Sequence, residues 1–164
     1  MWGLMVVCYI GMFFSILLLS ISGFQSYFDF LVYKANYQEF SLLVTMFYMF
    51  SQTLIMFYFI ASGTAIKKEI IKSQINTVAY EKVKKTKMIL FPHLTLNIFI
   101  LGAAFVLIGA VDTGAISSLV QSLLFAFGFF HFLYTVRIQH IGFKENINIV
   151  IELAELNDTT TLVN

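Results

Sequence analysis

Four apolar runs dominate the chain: residues 1–21, 40–61, 88–111 and 115–136, none with an Asp, Glu, Lys or Arg between its ends. Each reaches the ~20 residues that an α-helix, rising 1.5 Å per residue, needs to cross ~30 Å of hydrocarbon. The pattern predicts an all-α integral membrane bundle of four transmembrane helices, with 1–164 forming one membrane domain. Run one has no basic leader and no small-residue cleavage site, so it reads as a retained helix rather than a signal peptide.

The segments between runs are patterned too. Across the 62–87 loop, Ile66, Ile70, Ile71, Ile75 and Val78 recur at helical spacing with lysines between them. That predicts that the helix of span two continues past the membrane as a basic amphipathic helix, lying on the anionic inner membrane face or packing its apolar stripe on a partner. A second amphipathic inner-face segment is expected over 138–156, carrying Ile141, Phe143, Ile147, Val150, Ile151 and Ala154, before a polar, frayed 157–164. The 23–39 connection holds Phe24, Tyr27, Phe28, Phe30, Tyr33 and Tyr37, with Asp29, Lys34 and Glu39 as its charges. It reads as an interfacial helix or aromatic belt, with a lid or docking surface as the functional alternative.

Local signals refine the spans. Pro92 suits a first helical turn, or else kinks the helix. The 111–114 stretch, Val-Asp-Thr-Gly, is a tight turn by composition, so spans three and four form an antiparallel hairpin. Gly102, Ala103, Gly109 and Ala110 repeat every seven residues on span three; Ser118, Ser122 and Ala126 repeat every four on span four. Such small-residue faces let backbones approach closely, and they are the expected contact within the hairpin, with Gly128 extending it.

Charge sets the expected orientation. Seven of the ten basic residues, Lys67, Lys68, Lys72, Lys82, Lys84, Lys85 and Lys87, lie in the 62–87 loop, so that loop and both termini are expected inside. Lys67, Lys68, Lys72, Lys84 and Lys85 are candidates for lipid headgroups, and no nucleic-acid partner is expected. The chain is 59% hydrophobic, 12% charged and rich in Phe, with 19 copies. The expected location is a bacterial or archaeal cytoplasmic membrane, or an organellar inner membrane. One cysteine, Cys8, allows no internal disulfide.

Chemistry is sparse. The chain has no glycine-rich phosphate loop, CxxC, HExxH or GxSxG. No charged residue lies inside a span, which disfavours ion-coupled transport. His93 and His131 stand at nearly equal counts from the hairpin turn, so antiparallel helices place them at matched depth, with Asn97 one turn from His93 and Thr135 one turn from His131. If the rings face each other, they are candidates for haem ligation, for two ligands of a copper or zinc site, or for hydrogen bonding a quinone; otherwise they are structural or interfacial histidines. His140 is read as solvated. Gln52, Asn97 and Gln121 are expected to bond across helix interfaces.

Four stretches resemble a group of bacterial four-helix membrane proteins: Tyr58-Phe59-Ile60-Ala61-Ser62-Gly63-Thr64-Ala65-Ile66-Lys67-Lys68-Glu69, then Phe91-Pro92, then Gly109-Ala110-Val111-Asp112-Thr113-Gly114, then Lys144-Glu145-Asn146. The group has no activity to transfer. The resemblance implies only that 62–69 and 112–114 matter beyond loop composition, with the Gly63–Thr64 step a candidate for a headgroup or a partner's carboxylate. The expected function is a non-catalytic accessory subunit of a larger membrane complex, energy-converting or oxidoreductase. The alternative is a haem- or quinone-binding membrane anchor that uses His93 and His131.

Overall fold

A computed structural model describes residues 2–28, 30–32, 34–73 and 77–163, with the side chains of 72–73, 77–79 and 155–163 left aside. Four helices follow one another: α1 (Trp2–Phe28), α2 (Tyr37–Ser73), α3 (Thr77–Asp112) and α4 (Ser118–Val163). All four are long and apolar enough to cross a membrane. Short connections make them antiparallel neighbours. One end of the bundle holds the α1 N-terminus and the lysine-rich segment; the other holds the α3–α4 turn. They are called the basic end and the hairpin end below.

Local chemistry sets the helix ends at the hairpin side. Asn36 and Glu39 form a capping box at α2: the Glu39 N–H donates to Asn36 Oδ1 at 2.9 Å, and the Asn36 N–H donates to Glu39 Oε2 at 3.1 Å. α3 ends in a Schellman motif, with Ala115 N–H bonded to Ala110 C=O and Gly114 N–H to Val111 C=O. Gly114 takes the left-handed φ of 72° that this motif needs. Ser117 Oγ then accepts from the Leu119 N–H at the start of α4.

Buried positions on α2 recur every seven residues as Ser41, Tyr48, Ile55 and Ser62, and again as Thr45, Gln52, Phe59 and Ile66. This is the spacing of helices packed nearly antiparallel with a shallow left-handed crossing. Three clusters fill the interior. Met5, Cys8, Met12, Ile55, Tyr58, Phe59, Leu90, Leu94 and Phe143 pack toward the basic end. Leu19, Phe40, Val44, Tyr48, Leu101 and Phe132 pack toward the hairpin end. Ile66, Ile70, Val83, Ile149 and Leu153 join α2, α3 and α4 beyond the first cluster.

That third cluster corrects the reading of amphipathic inner-face segments. Ile66 and Ile70 are buried against α3 and α4 of their own chain, because α2 runs on to Ser73 and α3 already begins at Thr77. Ile71 is exposed, and Ile75 lies outside the described residues, as do the side chains of Lys72 and Val78. The 138–156 segment is likewise a continuation of α4, which buries Phe143, Asn146, Ile149 and Leu153 and leaves Ile141, Val150 and Ile151 exposed. The expected frayed end past 156 is helical to Val163. Pro92 lies well inside α3 rather than in a first turn. Its missing N–H frees the carbonyl of Met88, four residues back.

The connection after span one is also shorter than expected. Residues up to Phe28 extend α1, and α2 begins at Tyr37. The described part of the loop is closed by a Val32–Ala35 bridge. Gln25 Nε2 donates to the carbonyls of Phe30 and Ala35, so a buried α1 side chain anchors the loop. Phe24, Tyr27 and Phe28 are exposed, while Asp29 and Tyr33 lie outside the described residues.

Candidate functional site

The two histidines of spans three and four meet. His93 Nδ1 and His131 Nε2 are 3.4 Å apart, with ring centroids at 5.6 Å and planes inclined by 36°. Equal spacing from the α3–α4 turn brings this about, since the Schellman motif fixes where the antiparallel registers begin.

Asn97 organises the pair. Its Nδ2 donates to the Gly128 carbonyl at 2.8 Å, and a carbonyl can only accept, so the amide orientation is fixed. The second Nδ2 hydrogen then reaches His131 Nδ1 at 3.0 Å. Asn97 Oδ1 accepts from the hydroxyl of Tyr48, a fully buried α2 residue. Because His131 Nδ1 accepts, a neutral ring carries its proton on Nε2 and donates to His93 Nδ1. His93 therefore carries its own proton on Nε2. The order Tyr48, Asn97, His131, His93 is one directed chain of donors. It crosses three helices and ends in an N–H that makes no hydrogen bond with a described residue.

The surroundings of that end are aromatic. The Tyr134 ring lies 5.5 Å from His93, edge to face, and Phe127 stacks at 6.4 Å on His131. Phe127 and Tyr134 are 59% and 55% exposed, so they form the outer rim of the site rather than core. The arrangement suits a hydrogen-bond acceptor on a flat apolar ligand. It suits haem less: two axial imidazoles must straddle a macrocycle, whereas these bond each other directly. Close packing of α4 on α3 persists beside them, since a Cβ on Gly128 would lie 2.8 Å from Leu101 Cδ2 and 2.9 Å from Ile100 Cγ2. No cluster of three or more metal-type ligands occurs among the described residues.

The other expected polar residues find helix-crossing partners. Gln139 Nε2 donates to Gln52 Oε1 at 2.6 Å, and Gln121 Nε2 donates to Tyr37 Oη at 3.0 Å. Thr135 turns back to its own helix and donates to the His131 carbonyl at 2.8 Å. His140 is not simply solvated: its Nδ1 lies 2.9 Å from the Tyr9 hydroxyl of α1.

The small residues are distributed differently from the expected hairpin contact. Gly102 faces α2, where a Cβ would lie 2.8 Å from Met49 Cε, and Gly109 has nothing within 4 Å. Ser118 is exposed. Ser122 and Ala126 line an apolar groove of about 320 Å³ between α1 and α4, opposite Leu19, Gly23 and Phe24. The close approach of α3 and α4 rests on Gly128 instead. At the basic end, Lys68, Lys84 and Lys85 are exposed, and Lys67 lies over the Tyr80 ring at 5.7 Å.

Sequence reasoning missed Tyr48 and Gln139, and gave Gly128 only a secondary part in the hairpin contact. Their one signal was spacing: Tyr48 precedes Gln52 by one turn on α2, and Gln139 follows Thr135 by one turn on α4. The chain matches no known family model, no curated protein and no solved structure.

Proposed function

We propose that this chain is an integral membrane anchor subunit, basic end inside, whose His93–His131 pair docks the carbonyl of a quinone-class ligand from the lipid. The donor chain ending at His93 Nε2–H carries the reading. A polar hydrogen left unpaired in hydrocarbon is costly, and an apolar molecule bearing a carbonyl acceptor relieves that cost. Phe127 and Tyr134 supply flat walls for its ring. The role is binding rather than catalysis in this reading, because the spans carry no charged proton donor.

The test uses the full chain in lipid nanodiscs with a short-tailed benzoquinone and infrared detection of its carbonyl stretch. Binding lowers the carbonyl frequency in the wild type. His93→Leu loses that shift and weakens binding at least tenfold, about 1.4 kcal/mol. A wild-type shift that persists unchanged in His93→Leu removes the proposal.

A docking role beside larger subunits is favoured by one separate observation. Gly109 is open, and it borders a groove of about 560 Å³ at the hairpin end, lined by Leu42, Phe105, Val106 and Ile108 together with the polar Gln38, Glu39, Asp112 and Thr113. Mild-detergent extraction from the native membrane should recover the chain with a second membrane protein. Migration as a lone 18.7 kDa species would count against it.

A further inference from the structure

At the basic end, the glycine of the Ser62-Gly63-Thr64 step has a steric reason. A Cβ on Gly63 would lie 2.3 Å from Lys87 Nζ, 2.8 Å from Lys87 Cε and 3.1 Å from Val83 Cγ1. The Lys87 side chain therefore lies across the α2 backbone, with its ammonium seated where a side chain would be. Lys87 is only half exposed, unlike its neighbours Lys84 and Lys85.

Most polar groups around this notch are engaged elsewhere, although Asn146 Oδ1 is buried with no hydrogen-bond partner among the described residues. Asn146 Nδ2 donates to Ser62 Oγ at 2.6 Å, and Thr86 Oγ1 donates to Glu145 Oε2 at 2.6 Å. Lys82 pairs with Glu152 at 3.5 Å. Among the described residues, none makes an ion pair or hydrogen bond with Lys87. A half-buried ammonium held in one place with no counter-ion among the described residues is a prepared anion site, and Lys84, nearby on α3, adds positive potential.

We propose that Lys87, laid over Gly63, binds the phosphate of an anionic lipid at the basic end of the α2–α3 seam. The glycine admits the ammonium, and the ammonium supplies the charge-assisted hydrogen bonds a phosphodiester accepts. This is independent of the quinone reading, since it involves neither histidine.

The test is lipid retention by the full chain in detergent, read by native mass spectrometry after exposure to mixed phosphatidylglycerol and phosphatidylcholine. The wild type retains phosphatidylglycerol preferentially. Lys87→Gln lowers that retention about fivefold, because it removes the charge-assisted hydrogen bonds made at the notch, while Lys85→Gln changes it less than twofold. Gly63→Ala lowers it as well, although the net charge is unchanged, because the methyl displaces the ammonium. Thermal unfolding of each variant confirms that the fold is kept, and Lys87→Gln carries the test if Gly63→Ala unfolds. Equal losses in Lys87→Gln and Lys85→Gln would reduce the effect to diffuse charge and overturn the site. So would displacement of the lipid by millimolar inorganic phosphate, which would assign the notch to a free anion.

Discussion

Asn97→Leu should cost the bundle about 2–3 kcal/mol and weaken quinone binding by more than tenfold. The substitution is close to isosteric, so the loss is polar rather than steric. Asn97 bonds one group on α2 and two on α4 at once. Removing it leaves the Tyr48 hydroxyl without its acceptor in a fully buried position, and His131 Nδ1 without its donor. An orphaned buried group costs about 1–3 kcal/mol in proteins generally. Hydrogen bonds between helices in lipid average nearer ~0.6 kcal/mol, because the separated helices also find partners, and this lowers the expected sum. The effect on binding arises separately: with Nδ1 free, His131 takes either tautomer, and the proton order that leaves His93 Nε2–H outward is lost. Tyr48→Phe should cost less, because it removes only the first donor. The double variant should fall short of the sum of the singles by about 1 kcal/mol, as partners in one network do. Unfolding of the reconstituted chain by steric trapping measures all three. Strict additivity would mean that Tyr48 and Asn97 do not act together.

Legibility in the sequence differs from residue to residue. The four long apolar helices were legible, because a run of ~20 positions free of charged residues is long and apolar enough to cross a membrane as a helix. The meeting of His93 and His131 was half legible: depth followed from counting along a tight turn, but facing did not. In a soluble helix the buried face announces itself by being apolar. In these helices many exposed positions are apolar too, so Phe127 at the rim and Phe132 in the core look alike in sequence. Tyr48 was hidden for the same reason, as one aromatic among many on α2. The lysine-rich segment misled by a related ambiguity. Ile66 and Ile70 form a stripe that fits a membrane surface or a neighbouring helix equally well. Val83, Ile149 and Leu153 decide the matter only once α3 and α4 are seen to extend alongside.

Gly128→Leu should be the most damaging single change to the hairpin, at about 3 kcal/mol, with quinone binding abolished. A Cβ there already meets Leu101 Cδ2 at 2.8 Å, Ile100 Cγ2 at 2.9 Å and Leu101 Cγ at 3.1 Å. Alanine can be absorbed if those flexible side-chain ends shift. Leucine adds three further carbons that find no space between α3 and α4, so the helices must separate. Separation also withdraws the Gly128 carbonyl from Asn97, which ties the steric change to the donor chain. Gly109→Leu is the matched control: it makes the same chemical change on the facing helix, where nothing lies within 4 Å. The isolated chain should keep its stability, or gain slightly from better helix propensity. The two substitutions also separate the proposed roles. Gly128→Leu should damage the chain by itself, whereas Gly109→Leu should do harm only where a partner helix packs into the open groove. It would appear as lost copurification at unchanged stability and unchanged quinone binding. If Gly109→Leu leaves copurification intact, the partner docks elsewhere; if Gly128→Leu is tolerated, the close α3–α4 approach is not what holds Asn97 and the histidines in place.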